Sequence, residues 1–256
     1  MSSDVALEYE RRLGENPEWA LKEGGMHFEK ESEVYRSLVA VTKRLEQHGV
    51  EYAVAGGMAL FLHGYRRFTE DVDLLVTVDG LKTIWERLVS SWNDPPKPPL
   101  SKGGLGGSSL LSEADTGAQV HTRFLTRHEQ LEGRGYHPPF EGSKHLRDTT
   151  TGVRIEFLVA GQYPGDGKPK PVAFPDPASV SEELAGVKCL KLSTLVELKL
   201  TSGTAPGRLK DLADVQELIR VLGLTLEFAD ELHPSVRDQY RAFWHEMRSA
   251  DQQANQ

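Results

Sequence analysis

The sequence predicts an α/β protein with a helical C-terminal region. Up to about residue 178, short apolar runs rich in valine and leucine alternate with segments whose apolar residues recur at helical spacing. From residue 179 onward the helical pattern dominates. The chain has 256 residues, of which 38% are hydrophobic, so it can bury a sizeable core without a disulfide or a metal.

The first 49 residues are expected to form an N-terminal helical arm. Residues 1–30 are highly charged and contain scattered glycines, which favours short helices. From Glu31 to His48, four apolar residues share one helical face, and Gly49 is a typical stop. Those four residues are Val34, Leu38, Val41 and Leu45.

Residues 50–178 are expected to form the α/β core. Strands are predicted at Tyr52–Ala55 and within Thr69–Val78, and helices at Met58–His63 and Leu81–Val89. Further strands are predicted at Val120–Leu125, Lys144–Asp148 and Val153–Val159, the last two forming a hairpin across a Thr-Thr-Thr-Gly turn. Residues 93–117 are rich in proline and glycine and predict a flexible insertion.

After a proline-rich loop at Pro164–Pro177, residues 179–256 are expected to form the helical C-terminal region. Its helices are predicted at Ser193–Thr201, Arg208–Leu222 and Ser235–Ser249.

Composition and charge exclude several classes of protein. The single cysteine, Cys189, allows no internal disulfide, as is usual in a reducing compartment. The first twenty residues are too charged for a secretory signal, and the longest apolar stretch without Asp, Glu, Lys or Arg has fourteen residues, too few to span a bilayer. A net charge of −8 argues against a protein coated with phosphate-binding cations, although a local basic groove stays possible. We therefore expect a cytoplasmic protein with no membrane partner.

Two aspartates in an apolar run are the first candidates for chemistry. Asp71 and Asp73 are two residues apart on a predicted strand, so both side chains point to the same face. Aspartate is depleted in strands, and paired carboxylates can hold two magnesium ions. The alternative is a strand that faces solvent, with Asp71 ending a turn; the aspartates alone do not separate the two interpretations.

Two glycines precede these aspartates. Gly56 and Gly57 follow a predicted strand and open a predicted helix, where bare backbone amides can receive a phosphate. Glycines are also common in such turns for geometry alone. The segment matches neither a dinucleotide fingerprint nor a P-loop.

Taken together, the stretch G-G-x-A-L-x-x-H-G-x-x-R-x-T-x-D-x-D, from Gly56 to Asp73, resembles nucleotidyltransferases of the DNA polymerase β superfamily. It is most similar to AbiEii-type toxins and their bacterial relatives, closely over residues 50–80 and more loosely over 152–160 and 195–220. The resemblance implies a mixed sheet flanked by helices and a metal-dependent transfer of a nucleoside monophosphate from a nucleoside triphosphate, such as ATP, to an acceptor hydroxyl. The acceptor could be tRNA, a protein or a small molecule, and a cognate antitoxin is a possible partner.

The same resemblance implies a third carboxylate on a neighbouring strand. Glu156 is the candidate, because a lone acid in an apolar run is costly unless it is paired or binds a metal. Asp148, across the predicted hairpin, is the fallback, and an edge-strand glutamate in solvent is the structural alternative. The cofactor implied is magnesium, with two ions held by Asp71, Asp73 and Glu156.

The resemblance also implies a set of residues that contact the nucleotide. For Lys199, Lys210 and Asp211 the alternative is an ordinary solvated helix face; Asp214 lies on the same face as Asp211. At the level of function, the alternative is a nucleotidyltransferase-like protein without turnover that acts as a nucleotide-binding or antitoxin-like partner. The implied nucleotide-binding residues are Gly56, Gly57, Arg67, Thr69, Lys199, Lys210 and Asp211.

Overall fold

A computed structural model describes residues 9–89, 135–139, 143 and 145–254. In this part of the chain, one mixed sheet of seven strands is flanked by helices. The strands are β1 (Tyr52–Ala55), β2 (Asp71–Val76), β3 (Tyr136–His137), β4 (His145–Asp148), β5 (Arg154–Val159), β6 (Ser181–Leu184) and β7 (Val187–Leu190). Their order in the sheet is β3-β4-β5-β2-β1-β7-β6. The predicted α/β class is confirmed.

The helices alternate with strands in the first part of the described chain and dominate its end. They are α1 (Tyr9–Glu15), α2 (Pro17–Phe28), α3 (Glu33–Gln47), α4 (Gly56–Leu62), α5 (Val78–Arg87), α6 (Pro177–Val180), α7 (Leu192–Gly203), α8 (Leu209–Leu222) and α9 (Pro234–Ala254), with a 3-10 helix at Leu226–Glu231. No helix in this part of the chain combines the length and apolar character needed to cross a membrane.

The middle of the sheet is built from β1, β2 and β5. Strand β2 lies between β1, to which it is antiparallel, and β5, to which it is parallel. All four residues of β1 are buried, and one face of β2 is buried while the other carries Asp71 and Asp73. The strand predicted at 52–55 and the strand predicted within 69–78 are confirmed, as is the predicted hairpin, in which β4 pairs antiparallel with β5.

The predicted helices are confirmed with small shifts at their ends. Helix α3 buries the four apolar residues that predicted it, and Ser32 caps its first turn by accepting a hydrogen bond from the Tyr35 amide. Helix α4 begins at Gly56, two residues earlier than predicted, directly where β1 ends. The chain therefore passes from strand to helix within the two glycines.

One expectation about the C-terminal region was wrong. Residues 181–190 form the hairpin of β6 and β7, and β7 joins β1 in parallel. Strand β6 contains Ser-Glu-Glu and is exposed at the sheet edge, so it lacks the apolar alternation by which a strand is recognised. The division into 1–49, 50–178 and 179–256 stays a prediction, and both the 93–117 insertion and the strand at 120–125 lie outside the described residues.

The N-terminal helices pack onto the β4–β5 turn. The Tyr9 side chain is completely buried, and its backbone amide donates to the Gly152 carbonyl at 3.4 Å. Its ring meets Trp19 of α2 edge to face, with centroids 5.4 Å apart. This packing brings the polar side of α1 to the sheet face that carries the two aspartates.

Candidate active site

Three carboxylates meet at the centre of the sheet. Asp71 and Asp73 lie on the same face of β2, and Glu156 lies on β5 in register with Asp73. One carboxylate oxygen from each residue lies within 4.8 Å of the others. Because β2 and β5 each have a neighbour on both sides, the alternative of an edge strand in solvent is wrong for both.

The electrostatics of this cluster are unfavourable when no cation is bound. Burial, followed by the charges of Asp71 and Glu156, raises the pKa of Asp73 to about 7. The positive charges of Lys199 and Arg154 act in the opposite direction. Three half-buried carboxylates that repel one another, and that offer only oxygen ligands, fit a hard divalent cation such as magnesium.

Two contacts hold Asp71 in position. The Thr69 hydroxyl donates to Asp71 Oδ1 at 2.9 Å, and Arg154 Nη2 donates to Asp71 Oδ2 at 2.7 Å. Both oxygens of this carboxylate are therefore oriented, which fixes the side chain beside Asp73 and Glu156.

The two glycines make room for the side chains of this cluster. Gly56 has a φ of +57°, and a Cβ there would lie 1.7 Å from Asp73 Oδ2. A Cβ at Gly57 would lie 2.4 Å from the hydroxyl oxygen of Thr69, which is the residue that orients Asp71. Both glycines thus have a structural role, which was the alternative that the sequence left open, and their predicted contact with a nucleotide stays a prediction.

A second group of charges connects α7, α8 and the loop before β2. Lys199 Nζ donates to Asp211 Oδ1 at 3.0 Å and to Asp214 Oδ2 at 2.7 Å. Asp214 also pairs with Arg67, whose Nε lies 3.2 Å from Asp214 Oδ1. Lys199, Asp211 and Asp214 are all buried, so the interpretation of a solvated helix face is wrong for these three. We call Arg67, Lys199, Asp211 and Asp214 the lysine network.

Two more contacts complete the environment of Asp211. The Ser202 hydroxyl donates to Asp211 Oδ2 at 2.7 Å, and Arg208 Nε donates to the same oxygen at 2.8 Å. Burial alone would raise the pKa of Asp211, but Lys199, Ser202 and Arg208 together hold it below its ordinary value. The lysine network also affects the carboxylate cluster, because Lys199 lowers the pKa of Asp73.

Two sequence candidates lie apart from these groups. Asp148, the fallback third carboxylate, is fully buried at the β4–β5 turn, where it accepts hydrogen bonds from the Ser37 hydroxyl and the Thr150 amide, each at 2.9 Å. It supports the turn and is not part of the carboxylate cluster. Lys210 is exposed on α8, and among the described residues it does not join the lysine network.

A family model matches residues 43–254 of the chain, and it describes the AbiEii nucleotidyl transferase toxin of type IV toxin–antitoxin systems. The chain belongs to this family. It is therefore a nucleotidyltransferase, and the resemblance seen in the sequence is confirmed. The matched region includes the carboxylate cluster and the lysine network, but it begins after α1 and α2.

Solved structures of low similarity accompany this match. A solution structure of the antibiotic-resistance factor ANT(2'')-Ia covers 85% of this chain and 94% of its own, with 10% identity and a TM-score of 0.38. A crystal structure of ANT(2'')-Ia with adenylyl-2''-tobramycin covers 83% and 93%, with 12% identity and a TM-score of 0.36. JHP933 from Helicobacter pylori covers 87% and 94%, with 13% identity and a TM-score of 0.37. No curated protein matches the chain.

Sequence reasoning missed two residues that contact the cluster or its neighbours. Arg154 is on β5, two residues before Glu156, and strand alternation alone places both on one face. Glu10 is on α1 and approaches Arg154 from the N-terminal helices. No local pattern reveals Glu10, because its contacts are made with residues more than 130 positions away.

Proposed function

We propose that this AbiEii-family protein is a metal-dependent enzyme that transfers a nucleoside monophosphate from a nucleoside triphosphate to an acceptor hydroxyl. The observation that carries the proposal is the convergence of Asp71, Asp73 and Glu156 on adjacent, internal strands. Family membership supports nucleotidyl transfer, and the complete set of three carboxylates disfavours a protein that only binds nucleotide.

The proposed metal ligands are Asp71, Asp73 and Glu156. Their oxygen donors and their mutual repulsion suit magnesium, and we propose two ions because paired carboxylates commonly hold two in phosphoryl-transfer sites. Bound there, the ions would supply positive charge to the transferred phosphate and to the departing pyrophosphate. Thr69 would orient Asp71 for this task through its hydrogen bond.

In the proposed reaction, the acceptor oxygen forms a bond to the α-phosphorus while the bond from that phosphorus to the β-bridging oxygen breaks. Pyrophosphate leaves on the side opposite the acceptor. The proton lost by the acceptor hydroxyl passes to Glu156, directly or through water, because this carboxylate flanks the cluster on β5.

Positive charge for the triphosphate would come from the two cations of the lysine network, Lys199 and Arg67. Lys199 and Arg67 are both held in place by Asp214, and Lys199 lies near enough to the carboxylate cluster to lower the pKa of Asp73. We propose that Gly56 and Gly57, which adjoin Asp73 and Thr69, lie along the phosphates. Lys210 and Asp211 complete the proposed nucleotide contacts, with Asp211 acting through Lys199.

Membership in a toxin family further supports a role as the toxin of a toxin–antitoxin pair, with a cognate antitoxin as the protein partner. The acceptor we propose is a hydroxyl of tRNA, of a protein or of a small molecule. We place the reaction in the cytoplasm, where nucleoside triphosphates and all three kinds of acceptor are found.

The experiment is a labelling assay. The purified protein is incubated with magnesium, cell extract and each α-labelled nucleoside triphosphate in turn, and the labelled product is identified after nuclease or protease treatment. We expect one class of product to be labelled in the presence of magnesium and none in EDTA. Asp73→Asn is the matched control because it keeps the shape of the side chain and removes its charge. Labelling that persists in Asp73→Asn would contradict the assignment of the cluster.

A further inference from the structure

Arg154 forms an ion pair with Asp71, one of the proposed metal ligands. It lies on β5 opposite Asp71 in the parallel register with β2, on the same face as Glu156. Its Nη2 donates to Asp71 Oδ2 at 2.7 Å. The guanidinium therefore takes the place of a cation on that carboxylate, and it offsets part of the repulsion among the three acids.

The same guanidinium faces a second carboxylate on its other side. Glu10 Oε1 of α1 lies 4.0 Å from Arg154 Nε, and Glu10 Oε2 is held by Arg147 Nη1 at 2.5 Å. Arg147 also donates to the Gly152 carbonyl, the atom to which the Tyr9 amide donates. Glu10 is thus fixed by the docking of α1, and Arg154 lies between Glu10 and Asp71.

We propose that Arg154 competes with a divalent cation for the Asp71 carboxylate, and that Glu10 controls how strongly Arg154 holds that carboxylate. This inference rests on the proposed function, since it assigns a metal to the carboxylate cluster. A divalent cation that binds Asp71 competes with Arg154 for its carboxylate. Glu10 offers the guanidinium an alternative partner, so that Arg154 can leave Asp71 without losing all of its ion pairs.

Glu10 lies outside the part of the chain that the family model matches. The family match begins at residue 43, whereas Glu10 lies on α1. The N-terminal helices of this protein would therefore adjust a site whose own residues all lie in the matched region. Helix α1 would affect metal binding without contributing a ligand to it.

Arg154→Gln and Glu10→Gln should change the affinity for a divalent cation in opposite directions. Arg154→Gln removes a positive charge beside the cluster, so the affinity for a divalent cation should rise, by roughly tenfold for charges about 6 Å apart at a water-like dielectric. Glu10→Gln removes the alternative partner and leaves Arg154 on Asp71, so the affinity should fall by about threefold. Because Glu10 acts through Arg154, its effect should disappear in the double variant.

The test is calorimetric titration of the full chain with manganese or magnesium, without nucleotide. Glu15→Gln is the matched control, since Glu15 is an exposed residue of the same helix that pairs only with Arg11 among the described residues. Arg154→Lys keeps the charge and should bind metal more like the wild type than like Arg154→Gln. Thermal unfolding in EDTA establishes that each variant is folded.

The proposal is overturned if Glu10→Gln and Glu15→Gln bind metal equally well, a comparison that does not require Arg154→Gln to fold. It is also overturned if Arg154→Gln weakens binding, or if Glu10→Gln has the same effect with and without Arg154. Metal binding by Asp73→Asn shows whether only this inference fails or the proposed metal site fails as well. If the wild type and Asp73→Asn bind metal alike, the metal site itself is wrong and both proposals fail.

Discussion

Replacing Lys199 by methionine would remove the cation that two buried carboxylates share. The Lys199 ammonium lies 3.0 Å from Asp211 and 2.7 Å from Asp214, and all three side chains are almost inaccessible to solvent. Methionine has a similar volume and no charge, so the packing of α7 against α8 should persist. The two aspartates would then be buried with less positive charge beside them to offset their desolvation.

The cost follows from what remains around each carboxylate. Breaking a buried ion pair by removing one partner typically costs about 3–5 kcal/mol. Here Asp211 keeps Arg208 and Asp214 keeps Arg67, so we expect the lower end, about 3 kcal/mol. For a chain of this size that corresponds to a fall in the melting temperature of roughly 6–12 °C.

The assay is thermal unfolding at pH 7 and at about pH 3. The folded-state pKa of Asp211 lies below its ordinary value, so its contribution to stability is present above the unfolded pKa, about 4, and is lost as the pH falls through the folded pKa. The wild type should therefore lose more stability than Lys199→Met on acidification. The difference between their melting temperatures should narrow.

Lys188→Met provides the control, because Lys188 pairs with Glu51 at 2.7 Å on the exposed surface. Loss of such a pair should cost at most about 1 kcal/mol. If Lys199→Met melted like Lys188→Met at pH 7, Lys199 would not stabilise the fold through buried ion pairs. The same conclusion would follow if the difference in melting temperature from the wild type were equal at both pH values.

Three further results are expected. Asp73→Asn should abolish nucleotidyl transfer, while circular dichroism shows an unchanged fold. Magnesium should raise the melting temperature of this variant less than that of the wild type, because the cluster loses one charged ligand. Equal stabilisation of the two proteins by magnesium would contradict the metal assignment. Gly57→Ala should destabilise the fold by about 1–3 kcal/mol, since the Cβ of the alanine would displace Thr69. The double variant Gly57→Ala/Thr69→Gly should recover part of that loss. Denaturant unfolding of both variants measures the two free energies of unfolding. Replacing residues 95–111 by a short Gly/Ser linker should leave the melting temperature nearly unchanged. The reason is that loop-closure entropy depends only weakly on loop length, about 0.6 kcal/mol per doubling. A large fall in the melting temperature would show that the segment packs against the core.

The central part of the fold was predictable because its patterns are local. The four residues of β1 are uniformly apolar, and α3 shows one clear apolar face. The hairpin of β6 and β7 was not predictable in the same way. Its outer strand is polar and gains its structure from pairing with β7, which in turn is held by β1. A pattern read along the chain does not contain that long-range contact.

The carboxylate cluster was predictable for a different reason. Asp71 and Asp73 stand out in an apolar strand, and the resemblance to a nucleotidyltransferase family added Glu156 as the third carboxylate, with Asp148 as the fallback. The roles of the surrounding charges depend on the tertiary structure. Neither the burial of Lys199 between two aspartates nor the approach of Glu10 to Arg154 is visible in residue spacing.

The order of strands in the sheet also has a consequence for how the protein is made. Strands β1 and β2 are synthesised early, but the neighbours that complete the site arrive late: Arg154 follows its partner Asp71 by 83 residues, and β7 and Lys199 come later still. A nascent chain on the ribosome therefore carries both aspartates for some time without the third carboxylate. Prematurely terminated products that end before Glu156 would lack the third carboxylate and would be unable to assemble the site.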